Sequence, residues 1–176
     1  MPNLPAPLHI TDLLTLNDFY DAVATKVVFS SYHLVSSGEE GVQEVQHIFE
    51  KSVLPGDMIM TAQIAETPLT DNDTGLTRAT FACTLMVLEK MGGGARTAAV
   101  KLAVRNRTWL KMLAVIGFIR SCAEYAAANS TASDELEISL HQDRLLPIGS
   151  IANATVQGWL IDIDVTIPIN HYLFLE

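Results

Sequence analysis

The sequence predicts an α+β fold: a mostly antiparallel sheet packed against two main helices, one N-terminal and one long and central. Three observations carry that expectation. Strict apolar alternation marks Leu136, Ile138 and Leu140, and again Trp159, Ile161, Ile163, Val165 and Ile167, the period of half-buried strands. Steps of three and four join Leu13, Leu16, Tyr20, Val23 and Val27, the period of one helical face. The stretch from Thr97 to about Ala128 is rich in Ala, Leu, Lys and Arg, lacks proline and has Gly117 as its one interior glycine, a helical composition.

A chain of 176 residues suits a single domain, residues 1–176, large enough to bury a core without disulfides or metal. With 49% hydrophobic and 18% charged residues it is too apolar for disorder, and some of that apolar surface is expected to meet a partner. No apolar run reaches the ~20 residues of a bilayer span, and the N-terminus lacks a signal-peptide pattern, so neither membrane insertion nor export is expected. Cys83 and Cys122, each inside an apolar segment, read as buried free thiols. A net charge of −9 disfavours binding a nucleic-acid backbone through the overall field.

In chain order, Pro2, Pro5 and Pro7 make residues 1–9 an extended arm. The first helix is expected over Thr11 to Val28, with acids toward its start. VVFSSYHLV reads as a strand closed by a Ser-Ser-Gly turn, and Glu39 to Lys51 suits either a strand pair or a short helix. DMIMTAQIAE reads as a strand, TDNDTGLT as turn, and Leu76 to Met91 as a long central strand with both faces apolar in its second half. Within the long helix, Val100, Ala103, Val104, Leu110, Leu113, Ala114, Phe118 and Cys122 are expected on the buried side, with a kink possible where Arg107 interrupts them. Glu135 to His141 forms a strand, QDRLLPIGSIANA a connector, and GWLIDIDVTIPI the closing strand. Residues 170–176 form an apolar tail whose Tyr172, Leu173, Phe174 and Leu175 dock on their own domain or on a neighbour.

Candidate sites are few. Asp162 and Asp164, two apart in a strand, share a face and could clasp a divalent ion; the same pattern marks a wet strand face, which is the favoured reading because the strand runs on through Thr166. His9, His33, His47, His141 and His171 have no metal-ligand spacing, Gly92-Gly93-Gly94 lacks a phosphate-loop ending, and no nucleophile elbow supports a triad. No catalytic residue, cofactor or metal is therefore expected. Six of the 11 cations, Arg96, Lys101, Arg105, Arg107, Lys111 and Arg120, lie within 25 residues. Lys101/Arg105 and Arg107/Lys111 are like-charged i,i+4 pairs, mildly unfavourable alone. They belong either to a solvated helix face or to an interface with an acidic neighbour, which makes Lys101, Arg105, Arg107 and Lys111 candidate subunit contacts.

The order of elements, carried by TDLLTLNDFYDAVA, DMIMTAQIAETPLTDNDTGLTRATFACTLMVLEK, RTWLKMLAVIGFIRSCA and NATVQGWLIDIDVTIPI, resembles the tail terminators of long-tailed bacteriophages, in particular versions of the Bacteroidetes type. The resemblance spans most of the chain and rests on element order, not on a chemical signature. It implies a structural virion protein that assembles in the bacterial host cytoplasm as a ring, commonly of six copies, at the head-proximal end of the tail. Its partners would be further copies, the tail tube protein and a head–tail connector or stopper, with DNA passing through the channel without specific binding. The apolar tail and the proline arm depart from the family pattern. The competing class is an enzymatic or ligand-binding domain, with a hot-dog-like sheet wrapped on the long helix.

Overall fold

The computed structural model describes residues 10–65, 69–72, 76–92, 97–129, 136–151 and 155–169. The 1–9 arm, most of the Gly92–Gly94 loop and the 170–176 tail lie outside them. The elements run α1 (Leu13–Val27), β1 (Ser31–Val35), α2 (Gly38–Lys51), β2 (Met58–Ile64), β3 (Leu69–Asn72), β4 (Leu76–Lys90), α3 (Ala98–Asn129), β5 (Glu137–Ile151) and β6 (Val156–Pro168). The fold is α+β: a six-stranded sheet in the order β1-β2-β4-β6-β5, with β3 pairing β4 beyond the end of β2. Every pairing is antiparallel except β1 with β2, and that parallel pair needs a crossover, which α2 supplies.

The long alternating strands bury one side each. Ile161, Ile163, Val165 and Ile167 of β6 join Cys83, Leu85 and Val87 of β4 under α1 and α3, which contribute Leu16, Tyr20, Val23, Met112, Val115 and Ile119. On the other face, α2 sets Val45 and Phe49 against Ile59, Leu88, Ile148 and Val156. The β4 helix-side and α2-side residues divide as the sequence alternation requires. Gly158, paired with Leu88, lets β6 lie close to β4, since a Cβ there would sit 2.0 Å from the Val87 carbonyl oxygen.

Local chemistry fixes the helix ends. Asp12 accepts from the Thr15 N–H while Thr15 Oγ1 accepts from the Asp12 N–H, a reciprocal cap that starts α1. α1 stops at Val28, which adopts a left-handed conformation at φ 65°, rare for a β-branched residue. The strand expected from Val27 therefore begins only at Ser31. Two lysines from other elements satisfy carbonyls at or just past helix ends: Lys111 Nζ donates to Val27 O (2.6 Å) and Val28 O (3.0 Å), and Lys90 Nζ donates to Phe49 O and to Val53 O (2.7 Å).

One open reading is decided and three further expectations are corrected. Glu39 to Lys51 is a helix, α2, with Glu39 and Glu40 in its first turn and Lys51 in its last, the charge order that suits a helix dipole. The first part of TDNDTGLT pairs with β4 as β3, so the turn formers there include an edge strand. QDRLLPIGSIANA is not a connector: through Ile151 it continues β5 along β6, with register shifts between His141 and Leu146 and between Gly149 and Ile151 that break the alternation. Pro147 is tolerated because β5 is an edge strand. Finally, α3 buries Val104, Thr108, Met112, Val115, Ile119 and Cys122, whereas Ala103, Leu110, Leu113 and Ala114 face outward, and it runs as one helix through Arg107. Apolar residues surround α3, so spacing alone could not choose the buried side.

Candidate functional site

The basic cluster is directed into its own chain. Arg107 of α3 forms a forked pair with Glu89, a β4 carboxylate that is 2% exposed; Nη2 meets Oε1 and Nε donates to Oε2 at 3.2 Å. Those bonds to Glu89 hold the Arg107 guanidinium above its ordinary pKa. Arg105 Nε donates to Gln157 Oε1 (3.0 Å), and the Arg105 carbonyl accepts from Trp159 Nε1 (2.9 Å). Lys111 caps α1 and lies 5.5 Å from the centre of the Phe29 ring. Among the described residues Lys101 has no side-chain partner. Arg105, Arg107 and Lys111 thus turn to three different neighbours, and the acid that answers Arg107 comes from β4 of the same chain.

Asp162 and Asp164 lie mid-strand on the sheet face that α2 leaves open, both half-exposed. Asp162 accepts from Thr84 Oγ1 (2.8 Å) and lies 3.7 Å from Arg144; Asp164 meets His141 Nε2 at 2.8 Å. Thr80 and Thr166 share a hydrogen bond of 2.9 Å beside them. Cross-strand partners therefore account for both carboxylates. Among the described residues no group of three or more His, Cys, Asp or Glu could hold a metal ion. Burial pushes the Cys83 thiol up to about 11 and raises that of Cys122, so neither is a poised thiolate. His33 meets Ser31 Oγ at 2.9 Å, and burial lowers its pKa.

Tyr172, Leu173, Phe174 and Leu175 lie outside the described residues. Two surfaces that residue-by-residue reading of motifs missed stand out instead. The first is the outer side of α3, where Leu102, Leu110 and Leu113 are 69%, 57% and 42% exposed beside Ala114 and Gly117, and where a Cβ on Gly117 would meet nothing within 4 Å. Trp109 and Trp159, with ring centres 4.7 Å apart, extend this surface as a groove with Leu102 and Pro147. The second is a cleft of about 780 Å³ at the start of α1, walled by Leu13, Leu14, Leu34, Ile64, Ala79 and Phe81, with Asn17, Ser36 and Glu44 at its rim. The Ser36 N–H and hydroxyl, bonded to Glu44 at 2.8 and 2.9 Å, hold that carboxyl below its usual range. The signal for the first surface was present in the sequence as a helix whose leucines and charged residues are not sorted into separate faces.

The architecture is that of an α+β protein whose prominent features are apolar surfaces and internally satisfied charges. Compared with protein-family models and with curated proteins, the chain matches none. No helix among the described residues is long and apolar enough to cross a membrane.

Proposed function

We propose that the chain is a structural subunit that works as a closed ring of identical copies, of the tail-terminator kind, capping a tail tube and joining it to a head connector. The observation that carries this reading is the outer side of α3. In the single chain the outer side of α3 leaves three leucines, Leu102, Leu110 and Leu113, exposed to water, and large apolar side chains grouped on a surface mark a place that a partner covers. A neighbouring copy supplies the cover. The element order that resembles tail terminators gives the ring its proposed place, the head-proximal end of the virion tail, with the tube protein and a connector or stopper as its further partners and DNA passing through without specific contacts. No catalytic role or cofactor is assigned.

Light scattering across a concentration series, with negative-stain imaging, tests the reading. Particles of several copies with a central hole are expected. A monomer at all concentrations, both alone and with tail tubes added, would overturn it. The competing ligand-binding reading draws on the 780 Å³ cleft, which is within the size range of small-molecule sites. It requires a co-purifying small molecule, which native mass spectrometry of the same sample detects.

A further inference from the structure

A closed ring of more than two identical copies repeats one kind of contact, and that contact joins two different patches of the chain. In such a ring the outer side of α3 is one patch, and its mate lies elsewhere on the same chain. The cleft at the start of α1 has the matching properties. Leu13, Leu14 and Leu34 on its walls are all more than half exposed, with Asn17, Ser36 and Glu44 at the rim. Its strand residues come from β1, from β4 and from the end of β2, whereas Trp159 and Pro147 tie the α3 groove to β6 and β5. In the order β1-β2-β4-β6-β5 the two patches lie toward opposite edges of the sheet, β1 and β5 being four strand spacings, roughly 19 Å, apart. Neither patch covers the other within one chain.

We propose, resting on the ring reading, that this cleft is the mate: α3 of one copy lays Leu102, Leu110 and Leu113 into the α1 cleft of the next, head to tail around the ring. Shape favours it. Leu102 and Leu113 stand three turns, about 16 Å, apart along α3 with Leu110 between them, the layout of a helix that seats one face in an apolar groove. Ala114 and Gly117, exposed beside them, carry too little side chain to hold the helix away from the cleft walls. Charge favours it as well. Residues 12–51, which build α1, β1 and α2 around the cleft, hold seven acidic residues against two lysines, while α3 holds Lys101, Arg105, Arg107, Lys111 and Arg120 against Glu124 alone. Glu89 answers Arg107, but Arg105 donates to the neutral Gln157, and Arg120 follows Leu113 by two turns and is exposed like it. At the cleft, the Ser36 N–H and hydroxyl hold the Glu44 carboxylate at the rim, Asp18 stands exposed next to Asn17, and Glu40 stands exposed one turn before Glu44. The basic patch of one copy therefore meets the acidic patch of the next, whereas α3 laid against a second α3 brings like charges together.

The test is a disulfide trap between two full-length chains, one carrying Leu14→Cys and the other Leu113→Cys, with the buried Cys83 and Cys122 left in place. The two are co-expressed, oxidised mildly and mapped by peptide mass without reduction. A link between position 14 of one chain and position 113 of another is expected. Links of 14 to 14 or 113 to 113 without the mixed one would overturn the proposal, as would the absence of any link in a sample whose mass by light scattering is that of several copies. A wild-type chain that stays a monomer, alone and with tail tubes added, overturns the ring reading itself, so the two failures are told apart by the mass. A second variant, Leu14→Glu/Leu34→Glu, alters two side chains that are 76% and 51% exposed. It is expected to keep the far-ultraviolet circular dichroism of the parent and to lose assembly; assembly to the wild-type mass would overturn the proposal while leaving the outer side of α3 in the ring.

Discussion

Replacing Arg107 by glutamine separates two roles that the sequence alone leaves open for this residue, a contact to an acidic neighbour and a structural pair within the chain. The structure makes Arg107 the forked partner of Glu89, whose carboxylate is almost wholly buried beneath α3. Removing the guanidinium strands that carboxylate. Loss of one member of a buried pair costs about 3–5 kcal/mol, and because Arg107 itself is more than half exposed, water entering from its side brings the expected figure to about 3 kcal/mol. For a chain of this length each kcal/mol moves the melting temperature by about 2–4 °C, so a fall of about 6–12 °C follows. Urea unfolding at one fixed protein concentration, needed because assembly adds to apparent stability, gives the energy directly. Glu89→Gln removes the buried charge, and in that background Arg107→Gln should cost about 1 kcal/mol, a coupling of about 2 kcal/mol. If Arg107→Gln costs less than about 0.5 kcal/mol while weakening assembly, the internal pair is not what holds Arg107 and the reasoning fails.

Further outcomes follow from the same geometry. Lys111→Met removes the cation that caps the Val27 and Val28 carbonyls and should cost about 1 kcal/mol in urea unfolding; an unchanged midpoint would remove the cap from the account. Val28→Gly relieves a left-handed valine and should raise stability by about 1 kcal/mol, whereas a loss would show that the valine side chain, not the backbone, matters there. Gly158→Ala drives a methyl into the Val87 carbonyl and should cost about 2 kcal/mol or more; wild-type stability would mean that β6 can move away from β4. The Thr15 N–H, then the Thr15 hydroxyl, lower the Asp12 pKa, so its contribution is present above the ordinary carboxylate value of about 4 and is lost as pH falls through the lowered folded value. Asp12→Asn keeps an acceptor without titrating and should flatten the wild-type loss of stability below about pH 4; identical acid titrations would contradict this.

Where periodicity has one reading, the sequence and the structure agree. β6 could be placed because each apolar residue from Ile161 to Ile167 alternates with a polar one, and the same alternation set Asp162 and Asp164 on the wet face. β4 was legible as a central strand because both of its sides are apolar near Leu85 to Leu88, the part that α2 and the helix-side core cover. Legibility ended where the local pattern is shared by two structures. Short, charged α2 carries no long apolar repeat, and β5 beyond His141 loses alternation at its register shifts. In α3 the spread of apolar residues over more than one side, which hid the buried side, is the same property that leaves Leu110 and Leu113 uncovered. The fate of the basic cluster was invisible because Glu89 and Gln157, which receive Arg107 and Arg105, are 18 and 52 residues away in sequence.

The proposal of a ring held through the outer side of α3 stands or falls with one comparison. Light scattering of the wild-type chain and of the Leu110→Glu/Leu113→Glu variant at matched concentrations measures it. Both side chains point away from the core, so the variant should fold and melt as a monomer near the wild-type temperature, while the wild type has the mass of several copies. A variant that assembles to the wild-type mass would contradict the account, because two charges on each copy cannot be buried in the interface proposed.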